Sequence, residues 1–276
     1  MYKKFLIIAS KQDKAGINIT TSLSQFRKNP VLSAFSSEQP NFDFYLIEKD
    51  ILHEENLDLE KINKYDFIIF SSKHESKSKE KTLSIHAPGN WRIAELGGKS
   101  GKVCRASALF QKKMFEILNK NSEKYHLKDY KITLEATHHG PLIEKPCLFI
   151  EIGSTENQWV DRKAGFVIAT TIRDTIEQFK PNPYAEIAIA IGGPHYCPNF
   201  NKLQLNSNVA IAHVIPSYVI PISKEIIQQA MDNTEEEIDF AVLDWKGVGK
   251  AEQRREVLKI LDELYLDWKK TSEVGG

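Results

Sequence analysis

The sequence predicts an α/β protein, a three-layer α/β/α arrangement around a mostly parallel or mixed central sheet. Three observations carry this expectation. Short β-branched or aromatic runs alternate with amphipathic helical stretches along the whole chain. Several runs, such as AIAIGG, are apolar on both sides, which suits strands covered on both faces. No repeat and no Pro/Gly/Ser-rich linker interrupts the chain, so residues 1–276 read as one catalytic domain.

The expected strands, in order, are KFLIIAS (4–10), FDFYLI (42–47), DFIIFSS (66–72), KTLSIHA (81–87), YKITLEAT (130–137), PCLFIEIG (146–153), AEIAIAIGG (185–193), NVAIAHVI (208–215) and IDFAVLDW (238–245). Four helices are expected between or after them. Residues 101–120 align Val103, Ala106, Phe110, Met114 and Ile117 on one face, and 156–179 align Trp159, Phe166, Ala169, Ile172, Ile176 and Phe179. Residues 223–232 and 250–270 complete the set. Thr155, with Gln158 three residues on, has the spacing of a capping box.

Composition excludes several classes. No apolar run approaches the roughly 20 residues of a membrane-spanning helix. The apolar run near the N-terminus is shorter than the ~7–15 residues of a signal-peptide core and has no small-residue cleavage site, so a cytoplasmic protein is expected. The 3 cysteines, Cys104, Cys147 and Cys197, are too scattered for a disulfide framework or a Cys-rich zinc site, leaving His and carboxylate as metal ligands. Net charge is zero, from 37 basic and 37 acidic residues. Yet residues 73–131 hold 14 Lys/Arg against 6 Asp/Glu, and residues 223–263 hold 6 against 11. The basic stretch permits phosphate contact on one face, although solvated helix faces produce the same count.

The 8 histidines are unevenly placed. His53 and His126 lie in polar stretches. The others fall at or just beyond expected strand ends: His74, His86, His138, His139, His195 and His213. In open α/β sheets, ligands bind beyond the carboxyl ends of the strands. Each has a bland alternative: His213 could be a satisfied core residue within its apolar strand, and His74 a solvated member of KHESKSKEK. His138 and His139 are adjacent in THHGP, and neighbours on a strand point to opposite faces. They can share one site only if the strand has ended, as the following Gly-Pro suggests. Glu151, within LFIEIGS, is costly to bury unless paired, hydrogen-bonded or metal-bound; Glu135 is a similar, weaker case.

Gly192–Gly193 in IGGPHYCP would let backbone approach a phosphate or ribose closely. GGKSG (97–101) is no P-loop, because Ile93 stands where the first glycine belongs. The helix start at Ser154–Thr155 could receive an anionic group, although capping alone explains it. Cys197, two residues after His195, is the one thiol placed to act as a nucleophile, and nothing in the sequence shows it activated.

Six blocks, HAPGNW (86–91), THHGP (137–141), EIGSTENQW (151–159), GGPHY (192–196), HVIPSY (213–218) and DWKG (244–247), together resemble the archaeal and plant type of D-aminoacyl-tRNA deacylase, or D-tyrosyl-tRNA deacylase. The blocks span nearly the whole chain in the expected order. The resemblance implies a phosphorylase- or peptidyl-tRNA hydrolase-like fold. It also implies zinc as cofactor and hydrolysis of the ester between a D-amino acid and the terminal ribose of tRNA, so that mischarged tRNA is recycled. Metal ligands are then expected among His86, His138, His139, Glu151 and His213, with His138, His139, His195 and Glu151 in catalysis. Gly192, Gly193, Tyr196, Ser154 and Thr155 would meet the substrate, the Lys-rich 73–131 region would meet the tRNA backbone, and the protein is expected to be a monomer. A peptidyl-tRNA hydrolase-like or nucleoside phosphorylase-like enzyme, or a zinc-stabilised tRNA-binding protein without turnover, is the alternative.

Overall fold

The computed structural model describes residues 2–26 and 41–274. The chain opens with strand β1 (Phe5–Ser10), helix α1 (Lys14–Ser24), β2 (Phe42–Ile47), the one-turn α2 (Leu59–Ile62), β3 (Phe67–Glu75) and β4 (Thr82–His86). A small ribbon, β5 (Gly89–Asn90) with β6 (Lys102–Val103), precedes α3 (Ala108–Lys124), β7 (Lys131–Leu134) and β8 (Cys147–Ser154). There follow α4 (Glu156–Trp159), α5 (Arg162–Gln178), β9 (Glu186–Ile191), α6 (Pro198–Asn206) and β10 (Val209–Ile215). Last come α7 (Lys224–Asp232), β11 (Phe240–Leu243), α8 (Ala251–Glu263) and β12 (Trp268–Lys270).

Each expected strand run is a strand, and the architecture is mixed α/β with a mostly parallel central sheet. That sheet has the order β2-β1-β3-β8-β4-β7. Only the β4–β8 pairing is antiparallel. The later strands form a second, wholly parallel sheet, β10-β9-β11-β12, which sequence alone did not separate from the first.

Period-2 alternation explains how the two sheets share one core. Phe5 and Ile7 of β1, Ile69 of β3 and Ile150 of β8 face helices α1, α3 and α5, and the same apolar cluster takes in Ala188 and Ala190 of β9 and Ile211 of β10. The opposite face of β9, with Ile189 and Ile191, packs against α7 and α8 through Ile227, Val257 and Leu261. On the large sheet's other face, Leu6, Ile8, Ile68, Phe70 and Phe149 meet Ile47, Ile51, Leu57 and Ile62. This last face leads to the site.

Expected helix limits shift where caps intervene. The 101–120 helix starts only at Ala108, because Gly101 and β6 precede it and the Ser107 side chain caps it. The 156–179 helix is two, because the Asp161 carboxylate accepts the Lys163 and Ala164 N–H groups and starts α5 afresh. The 250–270 helix stops at Glu263, after which Tyr265 takes a left-handed φ of 53° and β12 begins. At Thr155 the backbone N–H and the hydroxyl both donate to Gln158 Oε1, at 3.1 and 2.6 Å. Helix α1 buries Ala15, Ile19 and Leu23 along one face, and its start is fixed by Asp13, which accepts from Ala15 and Gly16 at 2.8 and 3.0 Å and from Lys73 at 2.8 Å.

Asp161 also accepts a hydrogen bond from the Tyr130 hydroxyl at 2.9 Å. Replacing Asp161 by Ala should therefore lower stability by about 0.5–2 kcal/mol, the usual range for a lost N-cap, whereas Asn should retain most of it. Denaturant midpoints of the two variants measure this; equal midpoints for wild type and Asp161→Ala would contradict the capping role.

Candidate active site

Sheet register assembles half of the site. Ser72 and Ser84 are the partners of Glu151 on the strands to either side, and His74 and His86 each lie two residues further along those strands. All five side chains therefore share one face of β3, β8 and β4, the face that carries Phe70 and Phe149. Gly153 is obligatory here: a Cβ would come within 2.8 Å of His74 Cδ2 and 2.4 Å of Thr82 Oγ1.

The THHGP segment supplies the rest. Strand β7 ends at Leu134, and the chain then bonds in turn to three other elements: Glu135 N–H to Ile85 O, Ala136 N–H to His195 O and Thr137 N–H to Val214 O. His138 bridges Pro88, and His139 adopts a left-handed φ of 45°. That reversal brings two adjacent imidazoles to the same side, with ring centroids 4.3 Å apart. The glycine-rich 97–101 stretch explains itself at this point. A Cβ on Gly140 would lie 2.3 Å from Gly98 N and from Leu52 O, and Gly140 N–H donates to Leu96 O. Bare backbone is the only packing that fits.

Five imidazoles surround two buried carboxylates. Glu135 Oε2 is 3.1 Å from His195 Nε2 and 3.5 Å from His138 Nε2, and its Oε1 is 3.2 Å from His74 Nδ1. Glu151 Oε2 is 3.7 Å from both His74 Nδ1 and His86 Nε2, while its Oε1 accepts from the Ser72 hydroxyl at 2.5 Å. Burial would raise both carboxyls, but hydrogen bonds and charge from the imidazoles outweigh it. His195 lowers Glu135, and His74 with His86 holds Glu151 well below the usual range. Both are ionised at neutral pH.

The imidazoles divide in the same way. Burial opposes charge on His74, yet the adjacent Glu151 and Glu135 carboxylates carry it up to about 10; His86 is raised by the same two carboxylates. His138 and His139 are dominated by burial and by neighbouring imidazoles, which hold His138 well below its ordinary value and His139 at about 4.

Tautomers follow from the hydrogen bonds. His86, His138 and His139 each have Nδ1 against a backbone carbonyl, of Ala87, Ala136 and Gly140, at 3.2, 2.8 and 2.7 Å. A carbonyl only accepts, so each Nδ1 carries the proton and each neutral ring presents its Nε2 lone pair. His86 Nε2 is buried with no hydrogen-bond partner. Ligand atoms of His86, His138 and His139 lie within 4.8 Å of one another, as do those of His74, Glu135 and His195 and those of His86, Glu135 and Glu151. These donor sets fit a metal ion. A cavity of about 520 Å³ opens onto them, lined by Asp13, Ser72, Lys73, His74, Leu96, His138, His139, Glu151 and His195 among others.

The structure thus brings together His86, His138, His139, Glu151 and His195. His74 joins them, because β3 continues to Glu75 and buries it, and Glu135 is the hub rather than a minor member. His213 stands apart: its ring nitrogens face Thr137 Oγ1 and Asn233 O, its ring meets Trp91, and burial depresses it to about 4. Tyr196 places its hydroxyl 2.8 Å from His74 Nε2. Gly192 and Gly193 do make a close backbone approach, with φ of 96° and 80°, but to the Asp244–Gly247 turn, 2.1 Å from where a Gly247 Cβ would be. Ser154 donates to Glu80 O and Thr155 to Gln158, so their hydroxyls serve the fold. The Cys197 thiol is buried and, with Glu135 and Asp244 nearby, is pushed well above its ordinary value; it donates to His195 O and is no nucleophile. Sequence reasoning passed over Ser72 and Tyr218, whose hydroxyl is 3.3 Å from His195 Nδ1. Ser72 is legible only through strand register.

Comparison with known proteins identifies the family. The family model for D-aminoacyl-tRNA deacylase matches residues 61–269. A D-aminoacyl-tRNA deacylase of Thermococcus onnurineus is 33% identical, covering 95% of this chain and 98% of the relative, and one of Pyrococcus furiosus is 35% identical with the same coverage. A crystal structure described as that of a conserved protein of unknown function, AF0625, superposes with a TM-score of 0.86 at 26% identity, covering 99% of this chain and 96% of that one. The chain belongs to the D-aminoacyl-tRNA deacylase family.

Proposed function

We infer that this protein hydrolyses the ester of D-aminoacyl-tRNA, releasing the D-amino acid and reusable tRNA, at a zinc centre held by His86, His138 and His139. One observation carries the reading: in a family of ester hydrolases, these imidazoles are locked by backbone carbonyls into the tautomer that offers Nε2. Zinc at such a group supplies Lewis acidity toward an ester carbonyl and an attacking water.

The remaining work falls to the chain's own groups. Glu151, held by Ser72 and His74, steadies His86 and balances the positive charge of the site. Glu135 accepts from His195 Nε2 and orients that ring, and its charge lies beside His138 Nε2. His195 is the more open imidazole, with its side chain 31% exposed, and it lines the cavity mouth. It is placed to take a proton from the attacking water and return it to the departing ribose oxygen. His74, already positive at neutral pH, favours the developing negative charge of the ester oxygen. Among the described residues no helix is long and apolar enough to cross a membrane, in keeping with a cytoplasmic enzyme acting on tRNA.

Hydrolysis of D-tyrosyl-tRNA and L-tyrosyl-tRNA by the purified protein tests the function. The D ester should be cleaved much faster; equal rates would overturn the chirality claim, and no cleavage of either would overturn the reaction. Glu135→Gln should lower kcat/KM by about 10–100-fold, the range for groups that orient ligands and acid–base residues. A wild-type rate in that variant would remove Glu135 from the mechanism.

Burial opposes charge on His86, but Glu151 and Glu135 raise it overall, so a proton competes with zinc for its Nε2. Zinc affinity should therefore increase with pH, by up to about tenfold per unit for each proton displaced. Calorimetry in buffers of different ionisation enthalpy would detect the released proton. An affinity flat between about pH 6 and about pH 8 would place the metal away from His86.

A further inference from the structure

The Trp91–Gly101 connection between β5 and β6 forms an arm beside the cavity. Its base is fixed. The Trp91 indole donates to Val214 O at 3.2 Å, and the Arg92 guanidinium donates to Val219 O and Pro221 O. Within the arm, Ala94 N–H donates to Ser100 Oγ and Gly101 N–H to Arg92 O, while Asn90 donates to Gly97 O. Its inner side is joined to the histidine segment through the bond from Gly140 N–H to Leu96 O. The arm is thus an ordered part of the site's wall.

Its outer side is unusual in composition. Ile93 is 77% exposed and Leu96 57%, and Leu96 lines the cavity beside His138 and His139. The end of the arm, at Lys99 and Lys102, borders a groove of about 600 Å³. Lys99, Lys102 and Arg105 line it, with Glu54 and Glu144 as its acidic members. Arg105 is paired with Glu235, whereas Lys99 and Lys102 are exposed and have no ionic partner among the described residues. Three other lysines of the Lys-rich region are committed: Lys112 donates to the Gln204 and Ser207 carbonyls, Lys81 pairs with Asp129 and Lys131 with Glu80. In a separate groove, Lys11 and Lys14 are paired with Glu48 and Glu156.

We propose that this arm receives the single-stranded 3′ end of the tRNA, with Ile93 and Leu96 supporting the terminal bases and Lys99 and Lys102 binding the phosphates behind them. The proposal rests on the functional reading above. Apolar side chains beside the cavity, followed by unpaired lysines along a groove, match a strand whose last ribose enters the cavity and whose bases lack a pairing partner.

The test compares Lys99→Glu/Lys102→Glu with Lys11→Glu/Lys14→Glu, measuring kcat and KM for D-tyrosyl-tRNA, the salt dependence of KM and bound zinc. The arm variant should raise KM by about tenfold or more at low salt, leave kcat and zinc content near wild type, and flatten the log–log salt slope by about 1.4, the value for two contacts to a single strand. The Lys11→Glu/Lys14→Glu variant should change KM little. An unchanged KM in the arm variant, or equal effects from both pairs, would overturn the proposal. If the wild type hydrolyses neither stereoisomer, the functional reading fails instead, and binding of uncharged tRNA by the same two variants then decides the arm: selective loss in Lys99→Glu/Lys102→Glu upholds it, and no loss overturns it.

Discussion

Two buried carboxylates, Glu135 and Glu151, are 2% exposed in a face that elsewhere holds Phe and Ile, and the site depends on their compensation. An unpaired carboxylate there would cost several kcal/mol. Imidazoles within 3.1–3.7 Å provide the balance, and the Ser72 hydroxyl adds a hydrogen bond to Glu151. The same charges sort the imidazoles. Glu135 and Glu151 raise His74 and His86, while burial and neighbouring imidazoles lower His138 and His139. A single electrostatic constraint thus prepares both proton-bearing groups and open ligand nitrogens within one cluster.

Backbone packing makes that arrangement possible. Gly140, Gly97 and Gly98 let three segments approach with no side chain between them, which holds THHGP against the arm and the Leu52 carbonyl. Gly153 does the same for His74. Together with the left-handed turn at His139, these contacts aim imidazoles from four separate stretches of chain into one cavity. The second sheet is joined to this segment by backbone bonds from Ala136 to His195 and from Thr137 to Val214, which bring His195 to Glu135.

Much of the fold was legible because hydrophobic periodicity is a local signal. Where the reading fell short, the deciding information was non-local. Strand order, and so the division into two sheets, depends on pairing between segments far apart in the chain. His74 looked solvated within KHESKSKEK, because the extension of β3 through that polar stretch is enforced by pairing with β8. Glu135 looked minor because the sequence does not show that β7 stops one residue before it. His213 followed the strand-end pattern but lies within β10, where Trp91 and Asn233 occupy it. At Gly192–Gly193 the demand for close approach was real, but the approaching group is the Asp244–Gly247 turn rather than a phosphate.

The most direct measurement is D-tyrosyl-tRNA hydrolysis by protein stripped of metal and titrated with zinc, with bound zinc quantified at each step. A histidine–carboxylate metal centre predicts that activity vanishes on stripping and returns in proportion to zinc bound. In the His138→Ala/His139→Ala variant, neither zinc nor activity should return. Full activity in metal-free protein, or unaltered zinc and rate in that variant, would contradict it.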